Sequence, residues 1–507
     1  MAITSSRITT KHPNLSRFQI KWERCRTAIA GQDEIKDGGF KYLPPVNPTD
    51  LEDGEDYAIY LENAEWYNAV GLTYDAFVGM IFRKDPQIGD FTSDEIESNP
   101  LLNNVNLEGD DIMTFIRDAV NEELVVGRIG FLNDYPTVGE LGELTINEAA
   151  EQNIRPFVKQ YIAESIINWK YRTIRGVRKT ISVVLTEQVE RPQLDEASDL
   201  FDHDTVTQYR ALVIINGIYS QIVFDENLSE VSRIPIVVKG DSLTEIPFTV
   251  VNPNSIGLEL EKPPLYDMVH TNIKHYQASG ALGASLHLFA RSTPFFKVPI
   301  EAYDRFIAQD MEFGSTRSIV IPTSGDSGEA DAKFMEPGGS IQPIVDQQLR
   351  LEERMAAQGA RMLSTPKAGV ESTDTVRLDM MGELSILSAM AKNMSEGLSQ
   401  VLTRLLGTDI KVVLNSDFLT MPIDAGLISS LLMSVQAGRI SEAQFTDALI
   451  RGEAIKEEKK IISDVNFTAS PDAEAMGVPA ANGELSGREE NTRNAEPLSA
   501  PNGEENR

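Results

Sequence analysis

The sequence predicts an α+β fold. Three observations carry that expectation: helical apolar spacing between residues 50 and 126, period-two β-branched runs from 129 to 224, and an unbroken 3.5-residue apolar repeat from 380 to 405. Residues 50 to 84 read as two helices. Tyr57, Tyr60, Leu61, Ala64, Tyr67 and Ala69 recur at helical spacing, Gly71 interrupts, and Leu72–Arg83 resumes before Asp85-Pro86 stops it. A third helix is expected at Asp110–Val126, with Ile112, Phe115, Ile116, Ala119 and Leu124 on one side and Gly127 at its end. Strands are expected at Ile129–Leu132, Phe157–Ile162, Lys179–Val189, Tyr209–Ile215 and Ile218–Phe224. Asn216-Gly217 between the last two predicts a tight hairpin, because both central residues of a type I′ turn need positive φ.

Pro263-Pro264 then opens a helical stretch to about Arg291. Thr293 to about Pro343, rich in Pro, Gly and Ser with short runs at Phe295–Ile300, Ser318–Ile321 and Lys333–Met335, predicts a strand-and-loop insertion between helices. Helix is expected again at Val345–Leu363, with a break at Ser364-Thr365-Pro366. The longest element follows: Met380, Leu384, Leu387, Ala391, Met394, Leu398, Val401 and Leu405 alternate spacings of four and three up to a stop at Gly407. Such a repeat marks a helix packed along its length, and core packing is its commonest meaning. Shorter helices are expected at Leu427–Ala437 and Glu442–Lys460, and a disordered acidic tail from 464 to 507.

The chain has 507 residues, 77 acidic against 46 basic, for a formal net charge of -31. Its length suggests about three domains. Cys25 is the only cysteine, which excludes a disulfide scaffold. Met1 to Pro13 carries Arg7 and Lys11 without an apolar run behind them, so no secretory signal is expected, and no stretch reaches the roughly 20 apolar residues of a membrane span. A soluble protein made in a reducing compartment is the expectation. Proteins that grip nucleic acid cluster Lys and Arg, so the acid surplus and the lack of an evident basic stripe argue against tight general binding.

Motifs that carry chemistry are scarce. There is no GxxxxGK[ST] loop and no GxGxxG turn. His270 and His275 lie five apart on an expected helix, pointing away from each other, and read as surface or interface side chains rather than metal ligands. Asp202-His203-Asp204 reads as an exposed polar turn. Gly325-Asp326-Ser327-Gly328 matches the core of a serine-protease loop, but Glu329-Ala330 follows where small turn residues belong and no triad partners are in evidence. Ser364-Thr365-Pro366-Lys367 satisfies S-x-x-K without its companion motifs and reads as a helix break with an N-cap serine. No catalytic residue, cofactor or metal is therefore expected, and a hydrolase using Ser327 or Ser364 ranks last.

The order of elements, and a series of short segments along it, resembles the portal proteins of tailed double-stranded DNA bacteriophages, specifically a portal family often filed only as a domain of unknown function. The segments are Tyr60-Leu61-Glu62-Asn63-Ala64 with Trp66-Tyr67-Asn68, then Gly79-Met80-Ile81-Phe82-Arg83-Lys84-Asp85-Pro86. Gly127-Arg128-Ile129-Gly130, Asp134-Tyr135-Pro136, Arg155-Pro156 and Tyr161 to Trp169 follow. Later come Lys262-Pro263-Pro264-Leu265-Tyr266-Asp267, His275-Tyr276-Gln277-Ala278-Ser279 and Gly359-Ala360-Arg361-Met362-Leu363. Each marks a turn or a helix and none is catalytic, so the specificity lies in their order from Tyr57 to about Gly452.

The resemblance implies the portal fold of wing, stem, clip and crown, closed into a ring of about twelve subunits at one capsid vertex. In that arrangement 1–260 is wing, 261–292 the first stem helix, 293–343 the clip, 344–363 the second stem helix, 364–375 the tunnel loop, 376–426 the long helix and return to the wing, and 427–463 the crown. It further implies channel-lining roles for Lys367, Glu371, Asp374 and Arg377, and packing of the 380–405 stripe between subunits. The implied partners are further copies of the chain, the major capsid protein, terminase during packaging, adaptor and tail proteins, and double-stranded DNA passing without tight binding. No membrane is implied. The implied location is the virion, after synthesis in the host cytoplasm. The competing expectation is a non-portal structural or scaffolding oligomer built on coiled-coil helices.

Overall fold

The computed structural model describes residues 7–45, 55–135, 154–190, 205–238, 240–290, 293–300, 303–304, 319–323, 331–335, 340–359, 373–416, 418, 432–435, 441 and 445. Two units are distinguished, Met1–Leu419 and Thr420–Arg507. Of the second, only the helical stretch 432–435 and residues 441 and 445 are described, so the helices expected at Leu427–Ala437 and Glu442–Lys460, the crown assignment 427–463 and the tail 464–507 lie almost wholly outside the described residues.

The first unit begins with α1 (Leu15–Ala30) and α2 (Gln32–Asp37). Leu15, Trp22, Cys25 and Ala28 of α1 are buried, and burial pushes the Cys25 thiol up to about 12, leaving it protonated and inert. Two helices follow as expected, α3 (Glu55–Asn63) and α4 (Ala69–Ile81), but the break lies at residues 64–68 and not at Gly71. Asn68 is the reason: its side chain accepts the Gly71 N–H at 3.1 Å and caps α4. Gly71 sits inside the first turn, where a Cβ would come within 2.5 Å of that capping side chain.

Strand β1 (Gln87–Ile88) and two short helices, α5 (Ser93–Ser98) and α6 (Pro100–Asn103), lead to α7 (Ile112–Val126). Asp111 caps α7 by accepting the Thr114 N–H at 2.8 Å, and Gly127, at φ 73°, ends it as expected. Two sheets come next. Strands β2 (Ile129–Asp134) and β3 (Phe157–Ile162) pair antiparallel, while β4 (Ile166–Ile174), β5 (Val177–Glu190), β6 (Thr205–Ile215), β7 (Ile218–Phe224) and β8 (Glu230–Pro235) form a five-stranded meander in sequence order. Asn216 and Gly217, at φ 52° and 85°, make the predicted turn between β6 and β7. A ribbon of β9 (Val237–Val238) and β10 (Asp241–Ser242) precedes β11 (Phe248–Val251), which returns to pair with β2.

Helix α8 (Tyr266–Ala290) then leads to β12 (Thr293–Pro299), β13 (Ile319–Thr323) and β14 (Asp331–Met335), and α9 (Gln342–Ala357) leads back. Helix α10 (Thr373–Leu406) ends at Gly407, φ 72°, and β15 (Val412–Val413) pairs with β1. At 1.5 Å per residue α10 is about 50 Å long; its side chains are described from Ile386 onward. Two expected boundaries are corrected. The helix expected to reach Leu363 ends at Ala357, where Gln358 caps it and Gly359 turns the chain at φ 141°. The loop 364–375 is shorter at its far end, because α10 already begins at Thr373.

Among the described residues three large cores hold the unit together. One joins α4, α7, β2 and α10; a second joins α1 to the meander; a third joins α1 to α4 with α8 and Met355 of α9. Where α10 crosses the β11–β2–β3 sheet, Gly397 lets the backbones approach: a Cβ there would lie 2.3 Å from Val251 Cγ2. Asn133 Nδ2 donates to the Val401 carbonyl at 3.0 Å and Arg404 Nη1 to Thr249 Oγ1 at 2.6 Å, which fixes the helix on the sheet.

Several buried polar atoms lack a partner among the described residues, and one belongs to a carboxyl. Glu123, in the last turns of α7, is 2% exposed, and its Oε1 has no hydrogen-bond partner among the described residues. Burial, reinforced by the charge of Glu261, pushes its carboxyl well above the usual carboxylate range. The folded state therefore holds this proton more tightly than the unfolded chain does. Its contribution is present below about pH 4.5 and is lost as pH rises from there through the raised value. Glu123→Gln keeps the neutral shape, and it is expected to raise the urea midpoint at pH 8 relative to the parent while changing it little at pH 5.

Candidate functional site

The surface with functional shape is a helical hairpin carrying a small sheet. Leu265, Met268, Val269, Ile273 and Tyr276 anchor the first half of α8 in the third core. Asn272 bonds twice to the α3–α4 connection and the start of α4, donating to the Tyr67 carbonyl at 2.8 Å and accepting the Val70 N–H at 3.3 Å. Gly280 packs closely, since a Cβ there would sit 2.9 Å from Leu43 and 3.0 Å from Tyr60. Helix α9 runs antiparallel to α8: Thr271 donates to Gln358 at 2.9 Å, and His275 Nε2 lies 3.2 Å from Glu352 Oε1. His275 is thus an interface side chain, buried between the helices and beside Tyr67, while His270 is exposed.

The other end of the hairpin is less covered. Met355 is the only buried side chain of α9; Leu349 is 51% exposed, and Leu286 of α8 45%. Between the two helices lie β12, β13 and β14, with β12 central, parallel to β13 and antiparallel to β14. Among the described residues the expected insertion is therefore a module of three strands whose chain enters from α8 and leaves into α9. Separated hydrophobic runs do not predict a parallel pair, since the crossover between β12 and β13 leaves no turn signal.

Placement of the expected site residues is mixed. Lys367 and Glu371 lie outside the described residues, as do Ser327, Ser364 and Asp202-His203-Asp204. Asp374 and Arg377 fall in the first turn and a half of α10, with side chains outside the described set, as are those of Met380 and Leu384. The other six stripe residues correct the expectation of inter-subunit packing. Leu387, Ala391, Met394, Leu398, Val401 and Leu405 are at most 5% exposed and sit in the chain's own core with Phe115, Ile116, Ala119 and Phe131. Intrachain burial accounts for that stripe. Among the described residues no cluster of three or more His, Cys, Asp or Glu is placed to hold a metal ion, and no helix is long and apolar enough to cross a membrane.

Sequence reasoning missed a basic surface. The β4–β5 hairpin carries Lys170, Arg172, Arg175, Arg178 and Lys179, all exposed. Arg178 stacks on Tyr171 at 3.8 Å and pairs with Glu259 at 2.7 Å; Lys179 pairs with Glu245 at 2.6 Å. Beside it opens a cleft of about 420 Å³, walled by Trp169, Tyr171 and His12, whose ring stacks on Trp169 at 4.0 Å. Five cations in ten residues of an acidic chain were the available signal, hidden by reading charge as a whole-chain sum.

Residues 264–405 match the family model described as "Domain of unknown function (DUF4055)". The match spans the helical hairpin, its strand module and nearly all of α10. No curated protein matches the chain. Among solved structures, it is similar to a chain in the neck of a native GTA particle computed with C12 symmetry, at 14% identity and TM-score 0.38, over 78% of this chain and 94% of that one. A chain in the neck of the empty GTA particle, computed with C6 symmetry, gives 14% and 0.38 over 80% and 96%. A chain from the virion of the native gene transfer agent particle gives 13% and 0.37 over 82% and 98%. At such scores these likenesses carry no argument about fold or assembly.

Proposed function

We propose that the chain is a portal protein, forming the ring at one capsid vertex through which double-stranded DNA is packaged and ejected. The observation that carries this reading is the inserted module: three strands between two antiparallel helices whose outer apolar side chains stay uncovered in a single chain, followed by a long helix locked in the core. It coincides with the stretch matched by the family model and stands in the order of segments that resembles portal proteins. Uncovered Leu286 and Leu349 are accounted for if copies of the hairpin pack side by side.

In this reading α8 and α9 are the stem and β12–β14 the clip on which terminase and then adaptor and tail proteins dock. Residues up to about 260 are wing, and the segment between α9 and α10 faces the channel. A net charge of -31 per chain suits a conduit that must release DNA as readily as it admits it. ATP hydrolysis falls to a separate motor. A scaffolding oligomer built on coiled-coil helices is disfavoured, because the six described residues of the stripe that suggested it are buried inside the chain.

Mass measurement and electron microscopy of the purified protein test this. The expected result is a closed ring of about twelve chains with an axial hole. A monodisperse monomer at micromolar concentration, or an assembly without a hole, would overturn it.

A further inference from the structure

We propose that the basic tip of the β4–β5 hairpin docks on the acidic α5–α6 segment of a second copy of this chain, and so supplies a charge-steered, head-to-tail contact. The proposal rests on the ring reading and names one of its contacts.

Backbone and charge at the tip both run against what an isolated hairpin favours. Arg175 and Gly176 form the turn at φ 51° and 80°. The same chain makes the β6–β7 turn with Asn216-Gly217, the pair that tolerates positive φ. An arginine at that position is disfavoured by its own backbone, so the tip carries its cation at a local cost. Arg172 stands directly opposite Lys179 in the ladder, and like charges placed so repel. Beyond them Ile174 and Val177 face each other, 41% and 57% exposed. Lys170, Arg172 and Arg175 make no ion pair among the described residues. A partner that supplies carboxylates around a small apolar contact offsets the like-charge repulsion and covers the exposed Ile174–Val177 pair.

The chain itself presents such a surface. Between residues 90 and 111 there are seven carboxylates and no Lys or Arg, and Asp94, Glu95, Glu97 and Glu108 are exposed. Leu102 and Val105 root this segment in the core built on α7 and α10, whereas Trp169 and Leu185 root the hairpin in the meander core. Two complementary patches on different layers make a heterologous contact, the kind that closes into a ring when the rotation allows. Nucleic acid is the less favoured partner, because the exposed Ile174–Val177 pair at the tip calls for an apolar contact that a phosphate backbone does not supply.

The test uses the full chain with Arg172→Glu and Arg175→Glu together. The concentration needed for assembly, read by light scattering, is expected to rise about tenfold or more, since apposed like charges suppress association. Adding Asp94→Lys and Glu97→Lys is expected to restore assembly; Glu95 is left alone because it closes a capping box with Thr92. A circular dichroism spectrum and urea midpoint equal to the parent's establish that the variant folds, and Arg172→Gln with Arg175→Gln serves if it does not. Unchanged assembly of the variant, or failure of the second reversal to rescue, overturns the proposal. Unchanged assembly with loss of binding to a short DNA duplex overturns it in favour of nucleic acid. Absence of rings from the parent protein overturns the ring reading itself, which keeps the two failures apart.

Discussion

Leu398→Asp is expected to unfold the protomer, not to dissociate an assembly of folded protomers. Leu398 is fully buried, among side chains of α7, α10 and the β2–β3 sheet. Truncating a buried leucine costs about 2 to 5 kcal/mol, and a carboxylate at that position must either ionise without a partner or take up a proton. Together these approach the roughly 5 to 15 kcal/mol that holds a typical domain folded. Circular dichroism and size measurement of the variant check this. A soluble monomer with the parent's spectrum would show instead that the stripe packs between chains and would restore the coiled-coil reading.

Glu187→Ala is expected to cost about 3 to 5 kcal/mol, the range for removing one partner of a buried ion pair. Glu187 accepts hydrogen bonds from Tyr161 at 2.5 Å, Gln208 at 2.5 Å and Arg210 at 3.0 Å, and so ties β3 to the meander. Arg210 continues through Gln221 to Asp134, at 2.7 Å for each step. Burial opposes ionisation of Glu187, yet the Arg210 charge and hydrogen bonds, Lys159 and the Tyr161 hydroxyl overcome it and hold the carboxyl at about 2. Because the folded value lies below the ordinary one, the stabilisation is complete above about pH 4.5 and disappears as pH falls towards 2. Urea midpoints between pH 3 and 7 should therefore fall with acid in the parent and show a shallower fall in the variant. Parallel profiles would contradict the assignment.

How much of this was readable in advance depended on whether the signal was local. Gly127 and the helical spacing of Ile112, Phe115, Ile116, Ala119 and Leu124 before it mark α7 without help from the rest of the chain, and Asn216-Gly217 marks its hairpin for the same reason. Helix α1 was not anticipated, because Leu15, Trp22, Cys25 and Ala28 are sparse among charged neighbours and their burial depends on partners from the meander and α8. The α10 stripe was legible as a packed helix, but periodicity says nothing about whose side chains fill the other side. Nor does it tell an interrupting glycine from one tucked beneath a capping asparagine, which is the difference between the expected and observed break near Gly71. Of the candidate site, the strand runs of the insertion were legible and the pairing of His275 with Glu352 across two helices was not.

The seating of α10 also sets a timetable. Asn133 is 268 residues ahead of its partner Val401, and Met80 is 335 ahead of Asn415. At about 5 to 20 residues per second of synthesis, the apolar face of α7 waits on the order of 15 to 50 s on the ribosome before the helix that covers it exists. Throughout that interval the nascent chain displays Phe115, Ile116 and Phe131 to solvent, so its yield in a cell should depend on chaperones that hold unfinished chains and should rise when translation is slowed least between α7 and α10.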